Sequence, residues 1–147
     1  MPPLTLWELC KDGKLVEVRA ALARGADVNN KDCDGTTALM WAVMKSHNLI
    51  VKLLLDQARV KVNEKDNWGR TALHYAAYGN NPEGARLLLL HPGFNSANAT
   101  QKANSTKNNG DTALMMAVRN CHRKVLVELV QHDSVCLDLK GEVFGGR

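Results

Sequence analysis

The feature that most constrains this chain is a five-residue pattern that occurs three times. The pattern G-x-T-A-L stands at residues 35–39, 69–73 and 110–114, and each copy is followed three residues later by alanine. The first two copies begin 34 positions apart and the last two 41. Self-similarity at a period of roughly 20–50 residues is the signature of a repeat architecture. We therefore expect one small structural unit stacked several times.

Each copy of the pattern predicts a turn that leads directly into a helix. The glycine follows Asp or Asn residues, as in the segment 66–69, and permits the positive φ of a tight turn. The threonine two positions later can accept a backbone N–H as a helix N-cap. A short Ala-rich stretch follows, and then a second segment with apolar residues at helical spacing, such as Leu49, Ile50, Leu53 and Leu54. Each unit is therefore predicted to be a pair of helices.

These motifs resemble those of the ankyrin-repeat family, over the stretch from about Leu6 to Lys140. Residues 71–77, Thr-Ala-Leu-His-Tyr-Ala-Ala, are close to the family's T-P-L-H-x-A-A hallmark, and residues 25–29, Gly-Ala-Asp-Val-Asn, are similar to the string that closes a unit. The first interval also approaches the roughly 33-residue ankyrin period. The resemblance implies an all-α solenoid of stacked helix-turn-helix pairs linked by β-turn/hairpin fingers.

The resemblance implies a single domain, residues 1–147, of about four repeats. Their approximate bounds are 4–31, 32–65, 66–106 and 107–140, with 141–147 as a tail or the start of a further repeat. The first repeat lacks the hallmark but keeps the rest of the pattern. The third contains a long insertion at 92–108, rich in Asn, Ala, Ser and Thr. We expect this insertion to be a mobile, tolerated surface loop and not a dedicated binding loop.

Three departures from the family pattern concern the ends of the inner helices. Alanine replaces the usual proline, methionine replaces the usual histidine in two repeats, and three other residues stand where a helix-terminating glycine is common: Ala38, Ala72 and Ala113; Met40 and Met115; Ser46, Asn80 and Cys121. Alanine is acceptable at a first helical position. We therefore expect the fold to persist with locally weaker capping. The resemblance implies that His74 hydrogen-bonds its own turn.

Composition limits the classes of partner and the compartment. Hydrophobic residues make up 45% and charged residues 23% of the 147 residues, as in soluble globular domains. A net charge of +4, with 19 cations and 15 acids scattered along the chain, is too weak to indicate nucleic acid. The apolar runs are far shorter than a membrane span, and the amino terminus shows no secretory signal. We expect a cytoplasmic protein, with the nucleus also compatible, and neither a nucleic-acid nor a membrane partner.

Cysteines and glycosylation sequons fit the same expectation. Cys10, Cys33, Cys121 and Cys136 show no C-x-x-C spacing, and the chain is long enough to fold without disulfides, so all four are predicted to be free thiols. Two N-x-S/T sequons begin at Asn98 and Asn104 in the insertion. Glycosylation needs a secretory route, so we expect both to be unmodified.

No residue pattern predicts catalysis, a cofactor or a metal site. Among five histidines and four cysteines, Cys121 and His122 form the only close pair, and adjacent helical positions point apart. No glycine-rich phosphate loop or carboxylate pair stands out. The resembled family likewise has no catalytic constellation of its own. We therefore predict a non-catalytic protein without cofactor or metal.

The resemblance implies that a partner protein binds to the concave face, which the turn tips and the ends of the inner helices form. Carried over residue by residue, the candidate partner-binding residues are Asp34, Thr36, Met44, Lys45, Asn67, Trp68, Arg70, Tyr78, Asn109, Asp111, Arg119 and Asn120. We expect Trp68, Arg70 and Tyr78 to be the energetic centre, because these residue types are enriched among interface hot spots. Lys45, Arg70 and Arg119 would form a basic strip that favours an acidic partner segment.

Other interpretations of these residues stay open. Trp68 could lie flat over the neighbouring repeat, whereas Trp41, Tyr75 and Met116, at the x of L-H-x-A, are predicted to be packed. One alternative function is recognition of a modified peptide or small ligand by aromatic residues of the groove, although a methyl-lysine cage needs two or three converging aromatics. Another is a regulatory inhibitor or adaptor of a kinase or a transcription factor.

The carboxyl-terminal end of the sequence resembles the point at which another repeat would start. Residues 136–138 are similar to the string that closes a unit, and residues 145–147 to the turn that opens one. Terminal repeats normally need a polar cap, so we expect a fragment of a longer array, with an irregular cap as the alternative. An incomplete cap would leave apolar surface near Val127, Val130 and Leu137 and permit weak self-association.

Overall fold

The computed structural model describes residues 3–94 and 112–131. Within these ranges the chain forms eight α-helices: α1 Leu6–Lys11, α2 Leu15–Ala23, α3 Ala38–Met44, α4 Asn48–Leu55, α5 Ala72–Tyr78, α6 Pro82–Leu90, α7 Ala113–Arg119 and α8 Arg123–Gln131. No strand forms in the described part, although one isolated antiparallel bridge joins Lys31 to Thr37. The all-α solenoid that the resemblance implies is confirmed.

The helices form two layers. The inner layer is α1, α3, α5 and α7, in which each helix packs against the next, and the outer layer is α2, α4, α6 and α8. Alanines 42, 76 and 117, which follow the repeated pattern, are 0% exposed. Their small side chains let neighbouring helices approach closely. Larger apolar side chains fill the space between the layers, and the largest fully buried ones are Met40, Ile50, Leu54, Leu73, Leu88 and Leu129.

The fingers between repeats are tight turns held by an aspartate, which is buried at Asp66 and half-buried at Asp32. Gly35 and Gly69 have φ of 77° and 78°, as the turn pattern predicts. In the second of these turns, Asp66 Oδ1 accepts 2.9 Å hydrogen bonds from the backbone N–H groups of Trp68 and Arg70. Asp32 Oδ1 accepts the same two bonds in the first turn. The carboxylate thus fixes each finger before the helix begins.

Threonine caps the inner helices, as the sequence predicts. Thr37 Oγ1 accepts a 3.2 Å bond from Met40 N, and Thr112 Oγ1 makes the equivalent contact with the third residue of α7. In α5 the backbone N–H of Thr71 donates to His74 Nδ1 at 3.1 Å, which confirms the bond implied for this histidine. Met40 offers only its sulfur, 3.4 Å from Thr37 N, at the same position.

The three residues that replace a helix-terminating glycine adopt the conformation that glycine favours. Ser46, Asn80 and Cys121 have φ of 59°, 53° and 56°. The residue that follows each one then reaches back to the preceding repeat. Asn81 Nδ2 donates to Val43 O at 2.9 Å, and a His122 ring nitrogen lies 2.6 Å from Ala77 O. The left-handed residue therefore places a side chain that links two repeats.

Some expectations are corrected or fall outside the described residues. Leu49, expected among the apolar contacts of its helix, is 65% exposed. Val127 and Val130 are 51% and 40% exposed, and self-association through them stays a prediction. The third residue of that prediction, Leu137, lies outside the described ranges. So do the two sequons, Cys136 and most of the insertion. The division into repeats at 4–31, 32–65, 66–106 and 107–140 also stays a prediction.

Candidate partner-binding surface

Equivalent residues at the ends of the inner helices form two rows across the stack. One row contains Met44, Tyr78 and Arg119, the last residues of α3, α5 and α7, and the next contains Lys45 and Asn120. Because α3 packs on α5 and α5 on α7, these positions succeed one another from repeat to repeat. Tyr78 is 59% exposed, which is unusual for so large an aromatic ring.

The fingers, which precede the amino-terminal ends of the inner helices, are tied to one another. Asn67 N donates a 2.9 Å hydrogen bond to Asp34 O, and Asn67 Nδ2 donates to Cys33 O at 3.2 Å. These bonds bring two predicted binding residues, Asp34 and Asn67, together at successive finger tips. Both residues are exposed. The tips therefore form a continuous edge, although the amide of Asn67 is already engaged in holding it.

Arg70 is held in place by three neighbouring side chains. Its Nε donates to Asp66 Oδ2 at 2.7 Å, and its guanidinium carbon lies 4.8 Å from the ring centroid of Trp68 and 5.0 Å from that of Tyr75. The Arg70 side chain is 19% exposed, and that of Asp66 is fully buried. Trp68 is half-buried. Trp68 therefore stacks on Arg70 of its own finger, whether or not it also contacts a partner.

Tyr75, a buried residue of α5, is the fourth member of this cluster. Its hydroxyl donates to Asp66 Oδ2 at 2.6 Å and lies 3.3 Å from Thr36 Oγ1. Burial, together with the bond to the carboxylate, raises the pKa of the Tyr75 phenol. Thr36 is 3% exposed, so its side chain is a packed partner of Tyr75 and not part of the surface. The prediction that Thr36 contacts a partner is wrong in this respect, because the stacking of repeats covers it.

A second cluster of the same kind lies one repeat earlier. Trp41 Nε1 donates to Asp32 Oδ2 at 3.0 Å, and the ammonium of Lys11 lies 4.7 Å from the Trp41 ring centroid. Trp7 stacks on Trp41 with centroids 6.4 Å apart and 26° between the planes. Trp41 is half-buried despite these contacts, so it is less packed than predicted. Tyr75 and Met116 are packed as predicted, at 5% and 4% exposure.

Sequence reasoning did not single out Lys11, although the sequence contained a signal for it. Lys11 lies two residues before Gly13, as Met44 lies two before Ser46 and Tyr78 two before Asn80. Gly13, Ser46 and Asn80, which end these helices, all have a positive φ. Counting from the helix end would therefore have placed Lys11 in the same row as Met44 and Tyr78.

The remaining predicted residues do not add a further cluster. Lys45, Arg119 and Asn120 are exposed, and Met44 is half-buried. Asn109 and Asp111 lie outside the described residues. The basic strip that the sequence suggests contains two kinds of cation, because Arg70 forms an ion pair with Asp66 and Lys45 forms none within the described residues. Lys45 presents an exposed charge, whereas the charge of Arg70 is balanced within the chain.

The described residues give no indication of a reaction centre. No group of three or more His, Cys, Asp or Glu side chains in residues 3–94 and 112–131 could hold a metal ion. Cys10 is buried, and desolvation raises the pKa of its thiol to about 12, which suppresses the reactive thiolate. Cys33 and Cys121 are exposed free thiols. In the same ranges, no helix has the length and apolar character needed to cross a bilayer.

Comparison with known proteins supplies the family. A sequence profile described as ankyrin repeats in three copies matches residues 6–100, and a second, described as an ankyrin repeat, matches residues 109–142. The chain belongs to the ankyrin-repeat family. Together with the stacked helix pairs, this membership makes it a repeat protein of a kind that generally serves protein–protein interaction and is generally non-catalytic.

Individual relatives are much longer than this ankyrin-repeat chain. Protein glp-1 of Caenorhabditis elegans is 32% identical over 127 residues, which are 85% of this chain and 9% of that protein. Protein lin-12 of the same organism is 35% identical over 76% of this chain and 8% of its own length. A probable E3 ubiquitin-protein ligase, XBOS33 of Oryza sativa subsp. japonica, is 44% identical over 52% of this chain and 15% of its own length. The chain thus spans only a small part of each relative.

Proposed function

We propose that this chain is a non-catalytic module that holds a partner protein on its concave face. The observation that carries the proposal is the row of exposed inner-helix ends, with Tyr78 at its centre, in a stack whose finger tips are linked to one another. Tyrosine offers a large contact area with a polar tip at little conformational cost, and it is enriched among interface hot spots. The 59% exposure of Tyr78 leaves that area available.

The arrangement of the aromatic rings favours a peptide or protein over a modified lysine. An aromatic cage must leave its ring faces open to the ligand's cation. Here the guanidinium of Arg70 lies over Trp68 and Tyr75, and the ammonium of Lys11 lies over Trp41. The chain's own cations already occupy these faces. These ring faces are therefore not available to the cation of a modified lysine.

The test is affinity capture from an extract of the cells that produce the protein. The bait variant is Tyr78→Ala with Lys45→Ala, which changes two exposed side chains of the concave rows. The matched control is Val16→Ala with Leu49→Ala, since both side chains are on outer helices and are 76% and 65% exposed. A protein retained by the unchanged chain and the control but lost with the concave variant supports the proposal.

The opposite pattern would place the interaction elsewhere. If the control variant alone loses the retained protein, the outer helices form the binding face and the concave assignment is wrong. Retention by all three baits would have the same consequence for the concave rows. Circular dichroism and urea denaturation of each bait show whether the variants are as folded as the unchanged chain.

A further inference from the structure

We propose that the segment bound in the concave groove is an extended acidic peptide, in which two carboxylate side chains four residues apart contact Arg70 and Lys11. The inference rests on the proposed function, because it names the class of partner that the concave surface takes. It derives from the two clusters of aspartate, aromatic ring and cation in successive repeats.

Arg70 presents a fixed set of hydrogen-bond donors. A guanidinium has five N–H donors, and within the described residues the one on Nε is used by Asp66 Oδ2. The Arg70 side chain is 19% exposed, so part of the group faces solvent. Trp68 and Tyr75 hold the plane of the group in position. A carboxylate that binds the two terminal nitrogens therefore meets an orientation already set, which reduces the entropy lost on binding.

The buried aspartate does not compete for these donors. Asp66 accepts four hydrogen bonds, from the backbone N–H groups of Trp68 and Arg70, from Arg70 Nε and from the Tyr75 hydroxyl. Its side chain is 0% exposed. A partner in the groove consequently contacts the cationic donors of the pair and not its carboxylate.

Lys11 repeats this arrangement with a simpler cation. Its ammonium lies over Trp41, whose indole N–H is bonded to Asp32 just as the Tyr75 hydroxyl is bonded to Asp66. Lys11 itself is exposed and is in no ion pair within the described residues. Contact with the ring restricts where the ammonium sits. Two cations, Lys11 from α1 and Arg70 from the finger before α5, are thus each held over a ring of successive inner helices.

The spacing of the two clusters sets the spacing of the carboxylates. Trp41 and Tyr75 occupy equivalent positions on the adjacent helices α3 and α5, and packed helices lie about 8–10 Å apart. Lys11 reaches Trp41 from α1, which packs on α3, so the two cations are taken to be at least as far apart as α3 and α5. An extended chain rises about 3.3 Å per residue and alternates its side chains between two faces, so residues four apart share a face and span about 13 Å. Residues three or four apart on a helix are only about 5–6 Å apart, too close to reach both cations.

Net charge near the groove is low, so geometry must supply the selectivity. Lys45 adds a further exposed cation, while exposed Asp12 follows Lys11 in the chain and Glu8, one helical turn before Lys11, interacts with it electrostatically. Long-range attraction for acidic peptides is accordingly modest. The preference comes from charge-assisted hydrogen bonds at two fixed points, which are stronger than neutral ones and depend on position.

The experiment selects linear peptides on the full chain. A display library of random twelve-residue peptides, fused at both ends so that only side-chain carboxylates are offered, is enriched on the unchanged protein. We expect pairs of Asp or Glu at a spacing of four. Parallel selections use Lys11→Gln, Arg70→Lys and, as a matched control, Lys52→Gln on the outer helix α4, where an exposed ion pair with Glu83 contributes little.

The measured result is a coupling between one carboxylate and one cation. For an enriched peptide, replacing either carboxylate by its amide should weaken binding about tenfold by fluorescence anisotropy. In the Lys11→Gln protein the replacement at the matching position should have almost no further effect, whereas in Lys52→Gln the full loss remains. Arg70→Lys keeps the charge but loses the planar fork, so binding through the other carboxylate should weaken without disappearing.

Other outcomes overturn the inference, and they separate it from the proposed function. Enriched peptides that lack acidic pairs but lose binding with Tyr78→Ala would reject the acidic segment while supporting the concave face. Enrichment of no peptide, or of peptides insensitive to both cation changes, would reject the inference as well. The proposed function would then still be decided by affinity capture with the concave and outer-helix variants.

Discussion

The hydroxyl of Tyr75 donates a 2.6 Å hydrogen bond to Asp66 Oδ2, the same oxygen that accepts from Arg70 Nε. This shared acceptor joins an inner helix to the finger that precedes it by nine residues. It also joins the scaffold to the candidate binding surface, because the buried side of the contact is Tyr75 and the outer side is Arg70. The same carboxylate therefore holds the turn of the finger and fixes the position of its arginine.

Tyr75→Phe tests this shared contact. The change removes a buried bond to a charged acceptor and keeps the ring, so the free energy of unfolding should fall by about 1–3 kcal/mol. Urea denaturation followed by circular dichroism measures it. Tyr78→Phe is the control, since its side chain is 59% exposed and should lose little. Equal stability of Tyr75→Phe and the unchanged chain would show that the bond contributes nothing net.

The raised pKa of Tyr75 predicts how stability falls in alkaline solution. Its pKa in the folded chain lies above the ordinary value of 10.0, so its contribution is complete below pH 10 and is lost as the pH rises above that value. Stability measured against pH should decline more steeply there for the unchanged chain than for Tyr75→Phe. Parallel curves would contradict the prediction.

Gly79→Ala tests the approach of neighbouring inner helices. A Cβ at Gly79 would lie 2.4 Å from the carbonyl oxygen of Met44, a backbone atom that cannot move alone. Although alanine is the better helix former, we expect a loss of about 1–3 kcal/mol in the free energy of unfolding. Lys45→Ala, at the equivalent position on α3, is the control and should be nearly neutral. A stabilised Gly79→Ala would mean that α3 and α5 pack less tightly than described.

Ser46→Gly tests the left-handed residues that end the inner helices. Ser46 has a φ of 59°, and relief of its side-chain clash outweighs the greater chain entropy of glycine when unfolded. We expect a gain of about 0.5–1 kcal/mol in the free energy of unfolding. Asn80→Gly should gain less, because asparagine tolerates this conformation better. Thermal denaturation of both variants checks the order, and a larger gain at Asn80 would contradict it.

The start of α1 gives a prediction at acid pH. Thr5 N donates to Glu8 Oε2 at 2.7 Å, and this backbone bond, with the one from the Thr5 hydroxyl, lowers the pKa of Glu8 from its ordinary value of 4.5. Its contribution to stability is therefore present above pH 4.5 and is lost as the pH falls through the lowered value. NMR titration of the Glu8 carboxyl measures the pKa directly. Thr5→Ala should move it only part of the way back, since the backbone bond remains.

Interactions local in sequence could be predicted from the repeated pattern. The turn glycines at 35 and 69, the threonine caps and the bond between Thr71 and His74 each join residues at most four positions apart. Such contacts depend on residue type and spacing, which the sequence states directly. The positive φ of Ser46, Asn80 and Cys121 follows in the same way, because the helix must end there whichever residue is present.

Contacts between repeats were decided only by the tertiary structure. Thr36 and Tyr75 are 39 residues apart, and Lys11 and Trp41 are 30 apart, yet each pair meets. The periodic pattern fixes which face of a helix is apolar, but it does not say which side chain of one repeat lies over which ring of the next. That choice depends on the offset at which the helix pairs stack. Stacking therefore covers Thr36 and places Lys11 over the ring of Trp41, while the repeat itself follows from the sequence alone.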